Sequence, residues 1–183
     1  FEALWPLPAG VSYNAYLVVG ERIALVDTVE ERFGGRLFEN IRREIGDRKI
    51  DYLVINHMEP DHSSSIDALQ RRYPDIRLVG NAKALQMVEG FYGIAGPALE
   101  VKEGDTLDLG GLSLAFFMAP MVHWPETMVT WCPERRTLFS GDAFGTFGAL
   151  DGGITDSQLD PALYWDEMRR YYASIVGKYG SPV

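Results

Sequence analysis

A chain of 183 residues and 20.5 kDa is long enough to bury one sizeable core without disulfide or metal staples, and is read as a single domain, 1–183. With 17 Lys+Arg against 26 Asp+Glu, a net charge of −9 and a pI near 4.8, it is too acidic to suit a phosphate backbone, so nucleic acid is excluded as a partner. One cysteine, Cys132, excludes an internal disulfide framework, and the most apolar stretch, Leu112 to Val122, is too short to span a bilayer; the expectation is a soluble cytoplasmic protein with no membrane partner. The chain opens at Phe1 without an initiator Met or a signal-like pattern, which reads as a trimmed start.

In chain order, Tyr13 to Val19 and Ile23 to Val26 are β-rich runs around Gly20-Glu21-Arg22, predicting a hairpin that ends at Asp27-Thr28. From Val29 to Ile45 the apolar residues Phe33, Leu37, Ile41 and Ile45 recur every four positions, with Gly46 placed to cap the helix they predict. A strand follows at Ile50 to Ile55. A helix is expected from about Ser63 to Tyr73, its serines acting as N-caps and Pro74 ending it. Ile76 to Val79 predicts a strand, and Asn81 caps a helix through Phe91 to Gly93. This alternation implies βαβ units with helices on a sheet face. Beyond Gly96-Pro97, five short runs (Leu99 to Val101, Thr106 to Leu109, Leu112 to Met118, Thr127 to Trp131, Thr137 to Ser140) are separated by Gly and Pro turns and read as an antiparallel meander. A Gly-rich loop, Phe144 to Gly153, precedes a helix from Asp160-Pro161 to Gly177.

The chemistry concentrates in His57-Met58-Glu59-Pro60-Asp61-His62, between the apolar run Tyr52 to Ile55 and the serines that follow. Four hard nitrogen or oxygen donors in six residues cost free energy unless a cation pairs with them, and a strand-to-helix turn is where a rigid sheet positions functional groups. His123 lies between two predicted strands and Asp142 at a strand end. Each alone is an ordinary loop residue: a hydrogen-bonded His, a turn-capping Asp. If the strands stack as two sheets, however, those ends can converge on the His57 turn, gathering three His, two Asp and one Glu, enough for two metal ions about 3.5–4 Å apart sharing a carboxylate.

The pattern His57-x-Glu59-x-Asp61-His62, then His123 after 60 intervening residues and Asp142 after 18 more, resembles the iron signature of the flavodiiron proteins, a branch of the metallo-β-lactamase superfamily. Hydrolase branches usually carry His where Glu59 stands. The runs Tyr13 to Leu17, Leu25 to Thr28, Phe139 to Asp142 and Tyr171 to Gly180 share the likeness. The resemblance implies an αββα metallo-β-lactamase-like fold, cut short before its last elements. It implies that His57, Glu59 and His123 bind one iron and Asp61 and His62 the other, with Asp142 bridging. It further implies reduction of O2 to water or NO to N2O, a rubredoxin-like electron donor, and a head-to-tail homodimer whose FMN comes from a flavodoxin-like domain. Within the 183 residues there is no phosphate loop for FMN and no counterpart of the family's seventh ligand, a His about sixty residues past the bridging Asp. Two alternatives stand beside this one: a binuclear zinc hydrolase, and a degenerate, non-catalytic dimerisation module.

Overall fold

Two β-hairpins begin the two sheets and are stitched to each other. In the computed structural model, which describes residues 6–150 and 152–182, strand β1 (Tyr16–Val19) pairs antiparallel with β2 (Ile23–Val26), Tyr16 opposite Val26. Phe1 and Val183, on which the readings of the chain ends fall, and Asp151 of the Gly-rich loop lie outside the described residues. The turn between β1 and β2 docks on a second hairpin, Glu21 N–H donating to Gly110 O and Arg22 N–H to Leu109 O. A Cβ on Gly20 would lie 2.6 Å from Leu109 O, so only glycine permits that approach.

The first sheet has the order β1-β2-β3-β4-β5, with β3 (Tyr52–Val54), β4 (Arg77–Gly80) and β5 (Ala98–Glu100) parallel to β2. The second is an antiparallel meander of β6 (Thr106–Asp108), β7 (Ser113–Met118), β8 (Met128–Cys132) and β9 (Thr137–Phe139). The run at Leu99 to Val101 therefore does not belong to the meander. It follows a crossover helix, and a strand reached that way lies parallel to its neighbour, here with Leu78 N–H bonded to Pro97 O and Val101 N–H to Gly80 O.

Strand alternation divides the core. Ile23 and Leu25 of β2, Leu53 of β3 and Leu78 of β4 pack with Leu37, Ile41, Ile66, Leu69 and Val88 on the helical side. Ala24, Val26, Val54 and Val79 face Leu107, Leu114, Phe116 and Met128 of the second sheet. Being covered on both faces explains why β2 is buried at every position. These are the helix, sheet and sheet layers of the αββα class. The C-terminal helix joins a separate cluster of Val122, Phe147, Tyr171, Ile175 and Val176, while Phe117 and Leu138 on the second sheet remain 40% and 42% exposed. Among the described residues no helix is long and apolar enough to cross a membrane.

Three helices depart from expectation. Helix α1 spans Gly34–Ile45, not 29–45, because Ser64 Oγ accepts the Glu31 amide and Ser65 Oγ donates to Val29 O, holding the approach in a 3-10 turn, Glu31–Phe33. The serines that were expected to cap a helix from 63 do not cap. A short turn, α2 (Pro60–Ser63), starts directly after Glu59, and α3 (Ile66–Arg72) follows the break at Ser64 and Ser65. Ser63 Oγ is engaged with Met58 O, Glu59 O and Tyr92 Oη instead. The C-terminal helix divides into a 3-10 turn (Pro161–Tyr164), α5 (Trp165–Tyr171), a π turn (Tyr172–Val176) and a last 3-10 turn (Gly177–Tyr179). Tyr171 and Val176 are five apart and both buried, which the wider π turn accommodates on one face.

Asn81 behaves as its sequence position predicts: its Oδ1 accepts the Ala84 amide at 3.0 Å at the start of α4 (Ala82–Tyr92), and Gly93 closes that helix in the left-handed region. Asn81→Ala should cost about 1–2 kcal/mol, since it removes both the cap and a 2.7 Å bond from Nδ2 to Glu126 O. A urea midpoint lowered without a change in m-value is the expected reading.

Candidate metal centre

His57 leaves the C-terminal end of β3, Glu59 sits at the N-cap position of α2, and Asp61 and His62 lie on that single turn, so the local chain turns four donors inward within six residues. The other two arrive from the second sheet. His123 stands on the connection between β7 and β8, and Asp142 follows β9. Asn56 sets the two groups at a common level. Its amide donates to Asp27 Oδ1, its side chain donates to Phe139 O and accepts Thr130 Oγ1–H, and its carbonyl accepts the Met128 amide.

All six expected residues converge. One ligand atom each from His57, Glu59, His123 and Asp142 lies within 4.8 Å of the others. His123 Nε2 is 2.9 Å from Glu59 Oε2, 3.2 Å from Asp142 Oδ2 and 3.3 Å from His57 Nε2. The other oxygen of Asp142, Oδ1, lies 3.0 Å from His62 Nε2, which is 3.9 Å from Asp61 Oδ2. Asp142 thus turns one oxygen to each half of the cluster.

Each half also has a carboxylate behind it. Glu126 Oε1 lies 2.9 Å from His57 Nδ1, and Asp27 Oδ2 lies 3.3 Å from His62 Nδ1. Trp124 meets the His57 ring edge-on at 5.2 Å. Tyr171 is buried against Phe147, so close to Gly145 that a Cβ there would stand 2.6 Å from its ring, and its hydroxyl interacts with Asp142. Sequence reasoning gave none of Asn56, Glu126, Asp27 or Tyr171 a role at this centre. The signal available for two of them was an acid at an apolar strand end (Asp27) and one three residues past a candidate ligand (Glu126).

The electrostatics follow from burial set against pairing. Burial raises the Asp61 carboxyl to about 6, and its Oδ1 is buried without a hydrogen-bond partner. Burial would also raise Glu59, but hydrogen bonds from His123 and His57 pull it down to about 2. Asp142 is likewise buried, and its bonds to His123 and His62 hold it well below the usual carboxylate range. Burial disfavours the charged imidazoles, yet Asp142 and Glu59 raise His123 to about 9, and Asp142 with Asp27 raise His62 well above its ordinary value. The Tyr171 hydroxyl is pushed far up, first by burial and then by the Asp142 charge, so it stays protonated.

These donors fit a pair of divalent cations. Hard oxygen and imidazole ligands converge, one buried carboxylate oxygen lacks a partner, and two imidazole nitrogens meet at 3.3 Å, where a neutral pair would oppose lone pairs unless one donated. For the metal-free chain the shifts have a definite sign. His123 stabilises the fold fully below its ordinary 6.5 and loses that contribution as pH rises through about 9; Asp61, raised to about 6, loses its contribution through that value. Glu59, lowered to about 2, contributes above its ordinary 4.5 and loses that as pH falls. With chelator present, thermal unfolding should therefore peak near about pH 5–6 and decline towards 9 and towards 3. Saturating metal should reverse the alkaline limb between about pH 6 and 8, because ligands bind deprotonated.

The family model described as ODP family beta lactamase matches residues 11–177. The chain belongs to that family. This ODP-family domain is 39% identical over 168 residues to a nitric oxide reductase of Moorella thermoacetica, covering 91% of this chain and 42% of the relative. Against an anaerobic nitric oxide reductase flavorubredoxin of Klebsiella pneumoniae it is 38% identical over 169 residues, covering 91% and 35%. Among solved structures, rubredoxin oxygen:oxidoreductase of Desulfovibrio gigas superposes with a TM-score of 0.89 at 35% identity, over 96% of this chain and 44% of that one. The likeness to flavodiiron proteins and their metallo-β-lactamase-like fold is thereby borne out. The chain spans less than half the length of these relatives.

Proposed function

We propose that this domain is the diiron half of a flavodiiron oxidoreductase that reduces NO to N2O or O2 to water. The observation that carries the reading is the split of Asp142, Oδ2 at 3.2 Å from His123 and Oδ1 at 3.0 Å from His62, the disposition of a carboxylate shared by two cations. His57, Glu59 and His123 would hold one iron, Asp61 and His62 the other, and Asp142 both. When bound, two Fe(II) supply the two electrons that, with two protons, convert two NO into N2O and water; O2 requires four, so the reading includes FMN as a further source. Around them, Glu59 in place of an imidazole hardens the donor set towards iron rather than zinc. The Trp124 ring covers His57, and Tyr171 keeps a protonated hydroxyl beside Asp142.

The relatives' names support a rubredoxin-type donor and a flavin; the proposal places that flavin, as FMN, on a flavodoxin-like domain and the protein in the cytoplasm. That domain and a seventh ligand would belong to sequence beyond these 183 residues, and a head-to-tail homodimer would bring one subunit's FMN to its partner's irons. Elemental analysis of protein prepared anaerobically from iron-replete cells tests the core of it. Two irons per chain are expected, followed by rapid oxidation on mixing with NO or O2 in stopped flow. Two zincs would instead favour a hydrolase, and no metal a non-catalytic module. Glu59→His should raise the zinc-to-iron ratio, since a borderline nitrogen suits zinc better than a carboxylate does.

A further inference from the structure

Glu126 and Asp27 touch the imidazoles from the side facing away from the cluster. Glu126 is fully buried. Its Oε1 accepts the Met58 amide at 2.9 Å and meets His57 Nδ1 at the same distance. Its own carbonyl is held by Asn81 Nδ2 at 2.7 Å, and Asn81 is fixed in turn by capping α4. Since an ionised carboxylate only accepts, His57 must carry its proton on Nδ1, and in the neutral ring Nε2 is left as a lone pair towards Glu59 Oε2 and Asp142 Oδ2, 3.5 and 3.6 Å away. Asp27 repeats the arrangement at the other half. Its Oδ1 accepts the Asn56 amide at 2.8 Å, its Oδ2 faces His62 Nδ1, and His62 Nε2 is thereby turned to Asp142 Oδ1.

Neither carboxylate is an economical structural choice. Glu126 Oε2 is buried with no hydrogen-bond partner, a loss that an apolar side chain would avoid. Asp27 occupies a left-handed backbone conformation, φ 56°, which Gly or Asn would hold without burying a charge. What both supply is a charge against an Nδ1–H, which fixes tautomer and ring orientation and raises the basicity of the opposite nitrogen.

We infer that Glu126 and Asp27 are positioning residues that tune the two metal positions separately, Glu126 through His57 and Asp27 through His62. The inference rests on the two-metal reading of the cluster. Its test is Co(II) titration of the metal-free chain in competition with a chelator, following the cobalt d–d bands, for wild type, Glu126→Gln and Asp27→Asn. Both variants keep side-chain volume and an acceptor for the backbone amide, and far-UV circular dichroism checks the fold. Wild type should bind two equivalents. Glu126→Gln should weaken one of them by about 10–100-fold and alter its bands while leaving the other within about 3-fold; Asp27→Asn should do the converse. A two-bond 15N–1H correlation spectrum of the zinc-loaded wild type gives an answer that needs no variant: His57 and His62 should both be protonated at Nδ1. Two bound equivalents with neither variant selective, or an Nε2-protonated ring, would overturn the inference alone. A wild type that binds no metal would overturn the two-metal reading beneath it.

Discussion

Asp142→Ala should leave the domain unable to hold two ions. Both halves of the cluster lose a donor at once, because Oδ2 serves the His123 side and Oδ1 the His62 side. What remains near His62 is Asp61, so that half keeps one imidazole and one carboxylate. Losing an outer partner of a metal ligand typically costs 10–100-fold in affinity, roughly the scale set for Glu126 and Asp27; loss of a shared donor should exceed about 100-fold. Anaerobic reconstitution with Fe(II), gel filtration and elemental analysis should return at most one iron per chain, against two for wild type. The metal-free variant should also lose much of its stability decline between pH 6.5 and 9, since the charge that most raises His123 is gone. Two irons retained at wild-type affinity would remove Asp142 from the centre.

Phe116→Ala should produce the largest loss of stability. Phe116 is the largest fully buried side chain among the described residues and stands on β7, packed in one cluster with Val18, Ala24, Val26 and Val54 of the first sheet. The residues opposite are small and held in a hydrogen-bonded ladder, so they cannot collapse into the space vacated. A cost of about 3–5 kcal/mol is expected, which lowers the melting temperature by on the order of 10 °C for a domain of this length. The two sheets carry different donors, His57 to His62 on the first and His123 and Asp142 on the second. Loosening their packing should therefore also weaken metal binding, by less than Asp142→Ala does and without selecting one ion. A thermal melt paired with Co(II) titration separates the effects. A melt shifted by less than about 3 °C would mean the inter-sheet layer is more adaptable than this packing implies.

The helical and strand periods were legible because they are local. Leu37, Ile41 and Ile45 recur at helical spacing and are buried together on α1. Asn81 and Gly93 bracket α4 as their residue types require. What local pattern could not show was where a distant group intervenes. The amide of Glu31 goes to Ser64 Oγ, and that long-range bond delays α1 and diverts a serine from capping. Ala98–Glu100 looks like any short strand between turns, and its membership of the parallel sheet depends on the crossover that precedes it.

At the centre, His57, Glu59, Asp61 and His62 were legible as a group because they share one turn whose spacing keeps them close wherever the turn is placed, and the family resemblance named His123 and Asp142 with them. Their convergence on that turn is a product of the tertiary structure, since it requires two sheets stacked in one register and Asn56 clamping β3 to β8 and β9. The tertiary structure alone decided which oxygen of Asp142 faces which imidazole, and that Glu126 and Asp27 stand behind His57 and His62. Those relations are contacts between residues 19 to 80 positions apart in the chain, and no spacing rule reaches across a fold that far.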